Sequence, residues 1–168
     1  RDIDGFQFQK RNSVVNKVSS LQAAGDMQIS AGIGMTLTGV QANAGQGITV
    51  AAGGDIRMDA VKDSAFGDVK TGNKKNFKRT MTSDETVIGT NLTAGGNVDT
   101  ATNGALTMVG SSVSSYTGKI SIAAGQDINI QETTEKHETL TESRKTKSGF
   151  LSKKVTDKRD YSLVNEVV

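Results

Sequence analysis

Residues 51–60 read AAGGDIRMDA, and residues 123–132 read AAGQDINIQE. A chain that returns to nearly the same ten residues after 72 positions is repeating a structural unit. The two phrases close two similar blocks. The first runs from Leu21 to Asp59, the second from Leu92 to Ile130. Met27 lies 71 residues before Val98 and Met35 71 before Leu106, while Ile48 lies 72 before Ile120 and Ile56 72 before Ile128. The second block therefore carries one added residue, placed near Val113 on this reading. A finer period sits inside each block. Met27 to Ile48 and Met35 to Ile56 are 21 residues, and Val98 to Ile120 and Leu106 to Ile128 are 22. That is too short for a βαβ unit, which needs about 30 residues, and it suits one rung of a parallel β-solenoid.

The local pattern is that of strands. Apolar and polar residues alternate in MQIS (27–30), MTLT (35–38), ITV (48–50), IRMD (56–59), ISI (120–122) and INI (128–130). A period of two puts alternate side chains on one face. The segments are fenced by Gly, Asn and Asp, as at Gly25-Asp26 and Gly53-Gly54-Asp55. These residues predict corners in which Gly adopts positive φ and Asp or Asn bonds its own backbone. The inward row is expected to be Met27, Ile29, Met35, Leu37, Ile48, Val50, Ile56, Met58, Val98, Leu106, Met108, Ile120, Ile122, Ile128 and Ile130. Burying each such side chain contributes roughly 1.5–3 kcal/mol. Ordering one backbone residue costs roughly 1–2 kcal/mol, so a single rung cannot stand alone.

Composition agrees. Aromatics are 4% of the 168 residues, with no Trp, Pro or Cys and 19 Gly. The two blocks hold a single ring, Tyr116, as a narrow bore of stacked aliphatic groups requires. Without Cys there is no disulfide framework and no thiolate metal site. Twenty basic residues balance eighteen acidic ones, so net charge gives no argument for nucleic acid. No apolar run approaches the ~18 residues of a membrane-spanning helix. The opening RDIDGFQFQK and the ending EVV read as the edges of a piece of something longer.

The segments outside the blocks differ in kind. Residues 61–90 and 131–160 hold 24 of the 38 charged residues, and the two blocks hold seven. Each segment is Thr-rich with a basic, Gly-containing middle, KTGNKKNFKR and KTKSGFLSKK. Each is expected to be a long two-stranded hairpin pushed out of the coil, with tips near Gly72 and Gly149. The stretch FQFQKRNSVVNKVSS reads as the returning half of an earlier hairpin. The chain then divides into 1–20, the end of that hairpin; 21–59, repeat coils; 60–91, a hairpin; 92–130, repeat coils; and 131–168, a hairpin with its return strand. The tip cations Lys70, Lys74, Lys75, Lys78 and Arg79, with Arg144, Lys145, Lys147, Lys153 and Lys154, are candidates for contact with anionic lipopolysaccharide or glycan; the plainer reading is a solvated, solubilising tip.

The phrases AAGGDI, AAGQDINI and TAGGNV, with the segment ETTEKHETLTESRKTKSG and its return DYSLVNEVV, resemble the second repeat region of filamentous haemagglutinins and contact-dependent growth-inhibition exoproteins. The resemblance covers nearly the whole chain. It implies a right-handed parallel β-helix within a long fibre, exported to the surface of Gram-negative bacteria through an outer-membrane secretion partner. It further implies a role either in carrying a C-terminal toxin across a target cell's outer membrane or as an adhesin shaft. It supplies no catalytic residue and no cofactor.

Other motifs fail their context. Gly45-Gln46-Gly47 precedes a strand, so a dinucleotide loop is excluded. Gly53-Gly54-Asp55 lacks the nine-residue period of calcium-binding β-rolls, and Asn97 stands where Asp26, Asp55 and Asp127 stand elsewhere, which suits a turn better than a metal. His137, the single His, reads as a solvated strand residue. Asn91-Leu92-Thr93 matches a glycosylation sequon by accident of composition. The alternative function is a polysaccharide-active β-helix enzyme. It would need several acids on one outer face, and only Arg57 and Asp59 form a close charged pair.

Overall fold

The computed structural model describes residues 2, 3 and 6–168, with side chains described from Phe6 onward. The part of the expected N-terminal hairpin that falls on residues 1, 4 and 5 lies outside the described residues. The chain is all-β, with no helix among the described residues. The strands are β1 (Asp2–Ile3), β2 (Gln7–Val14), β3 (Ser20–Ala23), β4 (Met27–Ala31), β5 (Met35–Thr38), β6 (Gln41–Ala44), β7 (Ile48–Ala52), β8 (Ile56–Asp59), β9 (Val61–Gly72) and β10 (Phe77–Ile88). They continue with β11 (Asn91–Ala94), β12 (Val98–Thr102), β13 (Leu106–Val109), β14 (Ser112–Ser115), β15 (Ile120–Ala124), β16 (Ile128–Gln131), β17 (Thr134–Ser148) and β18 (Lys153–Val167). The chain forms two compact units. One takes the residues up to Val15 with Asp63–Thr86 and Thr134–Val167; the other takes Asn16–Lys62, Val87–Thr133 and Val168.

The second unit contains three parallel four-stranded sheets, ordered β3-β6-β11-β14, β4-β7-β12-β15 and β5-β8-β13-β16. Three successive strands thus give one strand to each sheet, and the next three add a second layer, or tier. Register follows the repeat. Ile48 faces Met27 on one side and Val98 on the other, and Val98 faces Ile120. Ile56 likewise stands between Met35 and Leu106, and Leu106 faces Ile128. The added residue is not near Val113, because Val113 pairs with Leu92 at the ordinary spacing. It falls in the corner Tyr116–Lys119, where Gly95–Asn97 suffices one tier earlier. A corner absorbs an extra residue harmlessly, whereas one inside a strand would turn every later side chain to the other face.

The corners work differently from the expectation. Among the described glycines, positive φ occurs only at Gly39, Gly72 and Gly110. The corner glycines Gly45, Gly53, Gly95 and Gly125 are there for want of a side chain. A Cβ on any of them would run into the carbonyl oxygen of the tier before it: those of Ala24, Gly32, Gly45 and Asn103 respectively. Nor do the three corner residues Asp26, Asp55 and Asn97 bond their own turns. Asp26 Oδ1 accepts from the Gly47 N–H at 2.7 Å, Asp55 Oδ1 from Ala105 at 2.9 Å, and Asn97 Oδ1 from Lys119 at 2.9 Å. Each ties one tier to the next. One oxygen is enough, so Asn serves as well as Asp.

The core of this unit is a cluster of Ala, Val, Leu, Ile and Met side chains, with Ile48, Val50, Ile56, Met58, Leu92, Val98 and Leu106 almost wholly enclosed. Three buried threonines, Thr90, Thr100 and Thr102, interrupt it. The Thr90 hydroxyl lies 2.9 Å from the carbonyls of Leu37 and Asp59 and accepts from the Val40 N–H at 3.3 Å, holding the return from β10 against the earlier tiers. The Thr100 hydroxyl, paired in register with Val50 and Ile122, has no hydrogen-bond partner. A buried hydroxyl without a partner is costly. Thr100→Val keeps the shape and removes that cost, so urea unfolding of the variant should show a gain of about 1–2 kcal/mol.

The other unit is a single sheet of order β1-β2-β9-β10-β17-β18. The pairs β1–β2, β2–β9, β10–β17 and β17–β18 are antiparallel. The charged segments are therefore not separate two-stranded ribbons, as their sequences suggested. Isolated ribbons are marginal in water; here β10 of the first pairs with β17 of the second, from Phe77↔Arg144 to Asp84↔His137.

Candidate functional site

The sheet presents two unlike faces, because alternate residues of each strand point the same way. Cross-strand register puts Phe8, Phe66, Asp68, Lys70, Phe77, Arg79, Met81, Leu140, Glu142, Arg144 and Tyr161 on one of them. Lys70 Nζ stands 3.9 Å from the Phe6 ring centre and 4.8 Å from that of Phe77. Arg79 grips Asp68 with two hydrogen bonds of 2.9 and 2.8 Å and lies 5.5 Å from the Phe8 ring. Arg144 grips Asp157 at 2.7 and 2.9 Å and lies 5.7 Å from Phe77. Paired guanidinium–carboxylate bonds of this kind are the stronger sort of hydrogen bond. Three of the ten candidate cations, Lys70, Arg79 and Arg144, are thus committed to holding the sheet.

Asp68 is 6% exposed. The hydrogen-bonded Arg79 guanidinium holds its carboxyl below the ordinary carboxylate value, against the opposing effect of burial. A carboxyl so depressed contributes stability above its unfolded-state pKa, and that contribution disappears as pH falls through the folded-state value. Asp68→Asn should therefore cost about 1–2 kcal/mol at neutral pH, since Arg79 remains partly solvated. In acid melts the difference from the native chain should close.

The other seven cations are exposed. Lys74 and Lys75 lie in the turn between β9 and β10, where Gly72 takes a φ of 107° that disfavours any side chain. Asn73 Oδ1 accepts from the N–H groups of Lys75 and Asn76, both at 3.0 Å. That turn meets β17 directly: the Thr146 hydroxyl donates to the Lys75 carbonyl and the Thr146 N–H to Asn76 Oδ1, both at 2.8 Å. Lys78, Lys145, Lys147, Lys153 and Lys154 complete the set. Lys147 is directly opposite Lys154, a like-charge pair that works against the local pairing. No acidic residue occurs between Arg144 and Lys154. The turn they flank exposes Phe150 and Leu151 almost completely. Sequence reasoning passed over both, although two bulky apolar residues between lysines in a turn were a visible signal.

The inward row is unevenly enclosed. Leu37, Ile48, Val50, Ile56, Met58, Val98, Leu106 and Met108 are buried, and Met27, Ile29, Met35 and Ile122 pack half-buried against them. Ile120, Ile128 and Ile130 depart from the expectation at 47%, 48% and 67% exposure. They lie in β15 and β16, which are paired on one side only, so nothing in the described residues covers their other side. Arg57 and Asp59 bond each other at 2.6 Å.

On the opposite face of the antiparallel sheet, His137 is not the solvated lone side chain its sequence context predicts. Its Nδ1 is 3.0 Å from Asp84 Oδ1 and its Nε2 3.6 Å from Glu135 Oε2. Ligand atoms of Glu135, His137 and Glu166 lie within 4.8 Å of one another. The Asp84 carboxylate raises the imidazole pKa above its ordinary value.

Comparison with known proteins gives one family. The model of the hemagglutinin repeat matches residues 6–76 and again residues 69–161. Each match takes in strands of both units: two tiers and neighbouring strands of the antiparallel sheet. The chain is also similar to the tRNA nuclease CdiA-2 of Burkholderia pseudomallei (strain 1026b), at 25% identity over 138 residues. The aligned region is 80% of this chain and 4% of that protein. No solved structure matches.

Proposed function

Because the chain belongs to the hemagglutinin repeat family, we propose that it is a non-catalytic structural and interaction segment of a large exported surface fibre. The tiered unit is, on this reading, a right-handed parallel β-helix with a repeat of 21 to 22 residues. The observation that carries it is the column Met27, Ile48, Val98 and Ile120, each paired directly with the next in a parallel sheet. Parallel strands joined through crossovers are right-handed in nearly all cases. Inward aliphatic residues then form its core, and the boundaries near residues 20, 60, 92 and 131 separate coil from hairpin.

The fibre is exported through an outer-membrane secretion partner and displayed on a Gram-negative cell. Similarity to a nuclease of which this chain matches a small part favours the toxin-delivering branch over the adhesin shaft. The seven exposed tip lysines contact the target cell's outer surface, through lipopolysaccharide or another anionic glycan. An in-frame deletion of residues 6–161 from the parent exoprotein tests this in a co-culture growth-inhibition assay. Surface display should persist while inhibition of target cells is lost; undiminished inhibition would overturn the delivery role. Binding of the isolated chain to immobilised lipopolysaccharide should weaken with salt, and Lys→Ser changes at 145, 147, 153 and 154 should abolish it.

A further inference from the structure

We propose that Glu135, His137 and Glu166 form a divalent-metal site, of the kind zinc occupies, that staples the strands of the antiparallel sheet. The ligands come from paired strands. Glu135 and Glu166 are direct cross-strand partners in β17 and β18, and His137 follows Glu135 by two residues, on the same face. Asp84 of β10 is the direct partner of His137 from the other side.

Two features point to a cation. The first is the spacing. The 3.6 Å between His137 Nε2 and Glu135 Oε2 is an ion-pair separation, longer than a direct hydrogen bond. Two tetrahedral ligands each about 2.1 Å from one zinc ion lie about 3.4 Å apart, and the three ligand atoms cluster within 4.8 Å. The second is the orientation of the ring. Nδ1–H donates to Asp84 at 3.0 Å, which turns the Nε2 lone pair toward the two glutamates. A carboxylate behind a metal-binding imidazole fixes its tautomer and raises its basicity in this way. Lys136, next to His137 in sequence, points to the other face and pairs with Glu138 at 3.1 Å. An imidazole with two carboxylates suits zinc, whereas calcium takes oxygen ligands only.

His137 is the single histidine of the chain, so its ring resonances are an unambiguous probe. The 168-residue chain is titrated with zinc chloride in mildly alkaline buffer, followed by NMR of the imidazole and by calorimetry. The expected result is one zinc per chain, displaced His137 resonances, and a melting temperature that rises with free zinc. His137→Gln and Glu166→Gln should each weaken binding at least tenfold, and Asp84→Asn by about 10–100-fold. Calcium should not compete. Stoichiometric zinc that leaves the His137 resonances in place would overturn the proposal without any variant. So would unchanged affinity in a folded His137→Gln chain, or the absence of binding.

Discussion

Ile48→Ala is expected to lower the unfolding free energy by about 3–4 kcal/mol, and Ile128→Ala by less than about 1 kcal/mol. Both residues belong to the repeated aliphatic columns, and sequence alone ranks them equally. Ile48 is wholly enclosed, with Met27 and Val98 as register partners on its two sides. Its truncation leaves a cavity that rigid neighbouring strands cannot collapse around. Ile128 has Leu106 on one side only and is 48% exposed, so about half of its surface already meets water. Urea titrations of the two variants measure the difference. Equal losses would mean that enclosure by successive tiers does not set the stability of this unit.

Gly95→Val should cost about 3 kcal/mol or more, while Gly25→Val should stay within about 0.5 kcal/mol of the parent chain. Both are corner glycines of the same repeated phrase. A Cβ at Gly95 would collide with the backbone oxygen of Gly45 in the preceding tier, and backbone cannot swing aside as a side-chain end can. A Cβ at Gly25 would meet nothing within 4 Å. If the glycines served conformational freedom alone, the two variants would suffer alike. Thermal melts of the pair separate a close-approach requirement from a turn requirement.

The all-β character was legible because alternation is a local property: Met27-Gln28-Ile29-Ser30 shows its period of two within four residues. Register was legible for a different reason. The columns repeat at a fixed interval, so pairing Ile48 with Met27 needed only the count of 21. What stayed hidden depended on strands distant in sequence. Thr-rich, charged segments such as TTEKHETLTESRK have no apolar phase to dictate register, so the pairing of β10 with β17 left no trace in either segment. His137 looked isolated for the same reason, since Asp84 and Glu166 reach it only through that pairing and through β18. The corners misled because a glycine required for close approach and a glycine required for positive φ are spelled identically. The exposure of Ile120, Ile128 and Ile130 was likewise invisible, since burial belongs to the neighbouring tier and not to the residue.

Successive tiers lie in parallel, one strand spacing apart, with equivalent residues directly opposed. Disulfide trapping tests this against a chain that contains no cysteine of its own. Thr49 and Asp99 are exposed direct partners in neighbouring strands, whereas Thr49 and Ser121 are separated by the intervening β12. Neighbouring strands lie about 4.8 Å apart, within the Cα separation a disulfide spans, and two spacings exceed it. Under mild oxidation the Thr49→Cys/Asp99→Cys chain should close an intramolecular disulfide and the Thr49→Cys/Ser121→Cys chain should remain reduced. A first pair that stays open, or a second that closes as readily, would contradict the account.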